Sequence, residues 1–167
     1  MKILYTLAIC TAFMQSLFMQ SLTSASAPDS PDTAEEQVVA TAKNFFNTID
    51  IKNQSSEKYR EVVTDDFLIF ELGKQYTIDG LVKLFESDDR EWISTKWTLS
   101  DFRISLDTNS AHASFQNHGV FRFKKDGKTF RSDLHWLESA YMIREGKSWK
   151  IRFFQSNRAS EKTVEIE

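Results

Sequence analysis

Phe121-Arg122-Phe123-Lys124-Lys125-Asp126-Gly127-Lys128-Thr129-Phe130 spells out a strand, a turn and a returning strand. Asp126-Gly127 suits a two-residue hairpin turn, whose central residues both need positive φ. On either side apolar and polar residues alternate, the pattern of strands with one buried and one wet face. A two-residue turn also sets the register. Phe123 then faces Phe130, Asn117 faces Trp136, and His118 faces His135.

The alternation continues outward from this hairpin. Phe102, Ile104 and Leu106 form one set, and Ala111, Ala113 and Phe115 another. Turn signals stand at Asp107-Thr108-Asn109-Ser110 and at Glu145-Gly146-Lys147. Four strands are expected near 96–106, 111–124, 129–144 and 149–157, joined by hairpins. Phe130, Leu134 and Trp136 are even-numbered, whereas Tyr141 and Ile143 are odd. Placing all five on one face, together with Trp149 and Ile151, calls for a three-residue loop before Trp149. It also calls for a one-residue bulge between Leu137 and Ala140, which would bend the sheet around a cavity.

Helical spacing dominates upstream. Thr33-Ala34-Glu35-Glu36 is a capping box, in which a Thr hydroxyl and a Glu carboxylate satisfy two free amides. Val38, Val39, Ala42, Phe45, Phe46 and Ile49 follow on one face, predicting a helix over 34–50. A second helix is expected from Ser55 or Ser56 to Val63. Phe67–Phe70 reads as a strand ended by Gly73, and Lys74–Tyr76 as its return. Thr77 caps a third helix carrying Ile78, Leu81, Val82 and Phe85, stopping within 88–91. The fold class is α+β, three N-terminal helices packed on a strongly curved, mostly antiparallel sheet.

The first segment has a different character. Lys2 precedes an apolar run, Ile3–Met19, and then a patch of small residues around Ala25. This is the form of a signal peptide over 1–25, which makes the chain secreted or periplasmic, with no stable membrane anchor after cleavage. Residues 26–33 read as a linker, 34–158 as the domain and 159–167 as a frayed tail. Cys10, the one cysteine, falls in the leader, so disulfides play no part in the mature chain.

Composition sets the outer limits. A chain of 167 residues with 41% hydrophobic and 27% charged side chains holds one ordinary core and is not natively disordered. The net charge of −3 argues against nucleic acid as a partner, since such binding needs a basic surface. No phosphate-binding glycine loop, nucleophile elbow or zinc signature occurs, so no cofactor and no metal are expected. Fourteen Phe, four Trp and four Tyr suit either a dense core or an aromatic-lined cavity.

Several short motifs resemble the nuclear transport factor 2-like superfamily, in particular its SnoaL-like bacterial members. They are Thr64-Asp65-Asp66-Phe67, then Gly73, then Thr77-Ile78-Asp79-Gly80-Leu81, and the hairpin from Glu138 to Ile151 with its Gly turn and Trp149. The resemblance covers about 34–158. It implies a cone-shaped roll with a pocket at the open end and a homodimer formed through the sheet. Enzymes, ligand binders and docking domains all use this fold, so the resemblance assigns no catalytic residue.

Two polar clusters compete as the site. His118 and His135, with Asp133 on the same face, could act as an acid–base pair, or as two of the ligands of a metal that lacks an evident third. Arg122 opposite Arg131 argues that this face meets water. On the other face, Asn117, Trp136 and Glu138 share parity with Phe115, Phe121 and Phe130. This face is the expected pocket wall, with Trp97, Phe115, Asn117, Trp136, Tyr141 and Gln155 as ligand-binding residues. Glu138, once buried, needs Arg152 or Lys150 as a partner, or its pKa must rise. Three functions follow. The first is binding of a small, partly apolar molecule without assigned catalysis. The second is cofactor-free proton transfer of the isomerase or hydratase type, using Glu138, Asp133 or His135. The third is a protein-interaction module whose interior is filled by its own rings.

Overall fold

The computed structural model describes residues 33–49 and 56–166. The leader over 1–25, the linker up to Asp32 and Cys10 lie outside the described residues. The helices are α1 (Ala34–Thr48), α2 (Ser56–Val62) and α3 (Ile78–Glu86). The strands are β1 (Val63–Glu71), β2 (Lys74–Tyr76), β3 (Glu91–Leu106), β4 (Ser110–Lys125), β5 (Lys128–Glu145) and β6 (Ser148–Ile166). They form one curved sheet in the order β2-β1-β6-β5-β4-β3, parallel at β1–β6 and antiparallel elsewhere.

Local chemistry accounts for the element ends. The Thr33 hydroxyl accepts from the Glu36 amide at 3.2 Å, and Glu36 accepts from the Thr33 amide at 2.7 Å, the expected capping box. Thr77 caps α3 by accepting from Gly80. Asp126 and Gly127 both take positive φ, 52° and 75°, so β4 and β5 pair with His118 opposite His135 and Phe123 opposite Phe130.

The bend arises elsewhere than the sequence suggests. β5 keeps one alternation from Ser132 to Met142, with every even residue buried. The turn before β6 has two residues, Glu145 pairing with Ser148, and no bulge lies between Leu137 and Ala140. The extra residues sit in the flanking strands. On β6, Arg152 and Ala159 have no partner on β5; on β3, Ile93 has none on β4, and a further residue is accommodated at Asp101-Phe102. Asp101 adopts φ 54° there. Each insertion flips the inward parity of the following residues and coils the strand. Trp149 and Ile151 therefore share the inner face with Met142 and Ala140, and past Arg152 the inward residues become Phe154 and Ser156.

Two expected pocket residues are corrected by this shift. Tyr141 is odd-numbered in an even-inward strand and is 40% exposed on the outer face. Gln155 likewise points outward, exposed between inward Phe154 and Ser156. The expected tail is also corrected. Residues 159–166 extend β6, with Ile166 pairing to Thr129, because the long β5 offers hydrogen-bonding partners to its end.

The helices lie on the inner face. Phe45 and Phe46 of α1 pack against Phe67, Trp97, Phe115 and Phe154, with ring centroids 5.1–6.1 Å apart. This dry core fills one end of the concave side. Trp97, Phe121 and Trp136 wall the other.

Candidate functional site

A cavity of about 290 Å³ opens between α1, α3, the end of β1 and the inner face of β3–β6. Its volume is at the lower end of the range for small-molecule sites. Apolar walls come from Phe46, Leu81, Phe85, Trp97, Phe121 and Trp136. Gly119 makes this wall possible. A Cβ there would lie 2.7–2.9 Å from the rings of Phe121, Trp97 and Trp136, so only a glycine lets the three close over the strand.

Polar groups cross the floor strand by strand. Register puts Glu138 of β5 opposite Ser156 of β6, with Glu71 of β1 following Phe70, the partner of Gln155. Asn117 of β4 lies opposite Trp136, one step from Glu138 on the inner face. The Asn117 amide donates to Glu138 Oε1 at 3.2 Å. Both residues are buried, 1% and 4% exposed.

Neither proposed cation reaches Glu138. Arg152 pairs with Asp66 at 2.6 Å and Lys150 with Glu145 at 3.3 Å. Burial pushes the Glu138 carboxyl up to about 8, and the neighbouring Glu71 adds to the rise; hydrogen bonding from Asn117 and Ser156 opposes it. Burial raises Glu71 as well, against the Ser156 hydroxyl and the Arg158 charge. Although Ser156 is near enough to ease both carboxyls, Glu138 Oε2 lacks a well-formed hydrogen bond among the described residues. Asn117 Oδ1 and Trp97 Nε1, both from lining residues, lack one too.

At the rim, Arg158 pairs with Glu161 at 2.5 Å and lies 6.0 Å from the Trp136 ring centre. Arg90 pairs with Asp88 and stacks over Trp92 at 4.2 Å. Both guanidiniums are thus committed to carboxylates.

Of the expected binding residues, Trp97, Asn117 and Trp136 line the cavity together with Glu138. Phe115 is in the core, stacked on Phe102 at 4.8 Å, and is not among the lining residues. The histidine cluster forms as expected, on the outer face that the Arg122–Arg131 pairing indicates. His118 and His135 stack at 4.2 Å, and His118 Nε2 is 3.4 Å from Asp133 Oδ1. Arg131 binds Asp133 at 2.9 Å and holds its carboxyl below the usual range.

Sequence reasoning missed Glu71 and Ser156. Glu71 had a signal, since it continues the inward parity of Phe67 and Ile69. Ser156 had none, because its facing depends on the insertion at Arg152.

The sequence matches no protein-family model and no curated protein. Solved structures do match. An NTF2-like protein from Cytophaga hutchinsonii superimposes with TM-score 0.54 at 15% identity, over 76% of this chain and 99% of that one. The fold is NTF2-like. A hexachlorocyclohexane dehydrochlorinase (LinA, type 2) aligns with TM-score 0.64 at 9% identity, over 78% of this chain and 88% of that one. A CaMKII hub from S. rosetta aligns with TM-score 0.64 at 14% identity, over 78% and 100%. An enzyme and a hub share the architecture, so the nuclear transport factor 2-like fold is compatible with catalysis or binding, and the choice rests on the cavity.

Proposed function

We propose that this chain binds a small, largely apolar molecule in the cavity beneath α1 and α3. The observation that carries this reading is the set of buried polar atoms of Glu138, Asn117 and Trp97, from residues lining the cavity, that lack a well-formed hydrogen bond among the described residues. A module packed solely for stability would leave such atoms unsatisfied at a cost of about 1–3 kcal/mol each. A thermal-shift screen of small aromatic and alicyclic molecules is expected to find ligands that raise the unfolding midpoint. Trp136→Ala should weaken a confirmed ligand by about tenfold or more, corresponding to roughly 1–3 kcal/mol. Undiminished binding by that variant would remove the pocket reading.

A second reading, cofactor-free proton transfer, is favoured by Glu138 alone. A carboxyl that ionises near 8 in an apolar cavity is matched to donating and accepting protons at neutral pH. Its expected signature is exchange of the α-protons of a bound cyclic ketone in deuterated water, absent from Glu138→Gln. Lack of exchange with every ketone that binds would leave binding as the function.

Two further parts of the reading concern context. The outer face carries an apolar strip of Phe70, Leu137 and Tyr141, which supports a homodimer formed through the sheet. Sedimentation should show a dimer that Leu137→Glu dissociates; a monomeric parent would reject it. Export as residues 26–167 rests on the sequence of the first segment. Intact mass of protein from the native envelope fraction decides it, and retention of 1–25 would refute it.

A further inference from the structure

Resting on the pocket reading, the geometry points to a specific class of occupant: an organic ammonium, held by the Glu138 carboxylate with its apolar body against Trp97, Phe121 and Trp136.

The hydrogen-bonding inventory of the floor leads there. Among the described residues, Glu138 Oε2 and Asn117 Oδ1 make no well-formed hydrogen bond, on residues more than nine-tenths buried and lining one cavity, with the Ser156 hydroxyl near the carboxyl. An ammonium brings three donors and no acceptor, which suits the two oxygens, while the Trp97 indole N–H, a donor, is left to an acceptor on the ligand's body or to water. Charge leads to the same class. No lysine, arginine or histidine pairs with Glu138 among the described residues, so the carboxyl, once ionised, has only a ligand to supply its cation. A second carboxyl, Glu71, adds negative charge from β1.

The walls agree. Trp97 and Trp136 have centroids 5.6 Å apart, and Phe121 meets Trp97 edge-on at 5.0 Å. Indole faces attract cations, more strongly where water is excluded. Trp136 already shows this behaviour toward Arg158 at its outer edge. An anionic ligand has no comparable welcome, because Arg158 and Arg90 are held by Glu161 and Asp88.

Occupancy is linked to a proton. The vacant site holds Glu138 protonated at neutral pH; seating the ammonium ionises it, and one proton leaves to solvent. Affinity should therefore rise with pH until about 8 and then level off. The charged groups around Glu138 are Glu71 from β1, Arg158 and Glu161 from β6, and Asp88 and Arg90 beyond α3; the lining residues of α1, β3 and β4 carry no charge. A neutral ligand accepting a hydrogen bond from the carboxyl would show the opposite trend.

Calorimetric titration of the full chain with three probes of one shape tests the inference: 2-phenylethylamine, 2-phenylethanol and 3-phenylpropanoate. The amine is expected to bind about tenfold tighter than the alcohol, and to gain about tenfold or more between pH 6.5 and 8.5 with proton release at the lower pH. Glu138→Gln should lose most of that preference and its pH dependence while keeping the alcohol. The pH arm on the parent protein decides the matter even where the variant folds poorly. Tighter binding of the alcohol or the carboxylate would overturn the ammonium inference and leave the pocket reading standing. Failure of all three probes would overturn it too, with the pocket then judged by the wider screen and by Trp136→Ala.

Discussion

The two faces of the β4–β5 hairpin carry titratable groups in alternate positions of the same strands, yet give them opposite fates. Outward, Arg131 pairs with Asp133, His118 lies 3.4 Å from the same carboxylate, and His135 stacks on His118. Arg131, through its hydrogen bond, keeps the Asp133 carboxyl ready to ionise. Inward, one residue away at each step, Glu138 meets aromatic rings, an amide and another carboxyl. The first group is exposed or half-buried and Glu138 is buried, so similar charges interact weakly outside and strongly inside. A cluster of chemically suggestive residues becomes a site only where solvation does not already satisfy it.

The largest expected effect separates the faces by pH. Between about 4.5 and 8 the folded chain holds a proton on Glu138 that the unfolded chain has given up. Stability should thus fall as pH rises through that window, by roughly 3–5 kcal/mol in order of magnitude. Urea midpoints at pH 5, 7 and 9 measure it. Glu138→Gln should remove most of the slope, leaving the smaller part due to Glu71, and be the more stable protein at pH 9. An equal slope in both proteins would erase the distinction between the faces.

Next in size is the wall. Gly119→Ala forces a methyl against three rings at under 3 Å and should cost about 1–3 kcal/mol in denaturant unfolding while weakening any cavity ligand. A neutral outcome would mean that the rings are free to move and the cavity is not a shaped one.

The smallest effects belong outside. His118→Ala and His135→Ala should each change stability by about 0.5 kcal/mol or less and leave ligand affinity intact. A histidine variant that abolished binding or turnover would move the site to the outer face.

Much of the architecture was legible in advance because its signals are local. The capping box at Thr33, the Asp126-Gly127 turn and the apolar spacing of α1 and α3 each act within a few residues of themselves. Asn117, Trp136 and Glu138 could be grouped from the hairpin register alone. Tyr141 and Gln155 were misplaced because their facing depends on where a strand takes up an extra residue. Arg152 takes that role where β6 shifts register against both β5 and β1, with its guanidinium on Asp66.

By itself, then, the sequence determined three helices, a long antiparallel meander and the parity of its central hairpin, since periodicity and turn chemistry are short-range properties. Only the tertiary structure decided which strands bend, that β6 runs on to Ile166, and that Glu71, Ser156 and Glu138 converge across three strands. A β-insertion costs little locally but inverts every side chain beyond it, so its position is chosen by the packing of neighbouring strands. The unpaired acidity of Glu138 follows from that choice, because the cations near it in sequence are turned toward carboxylates elsewhere.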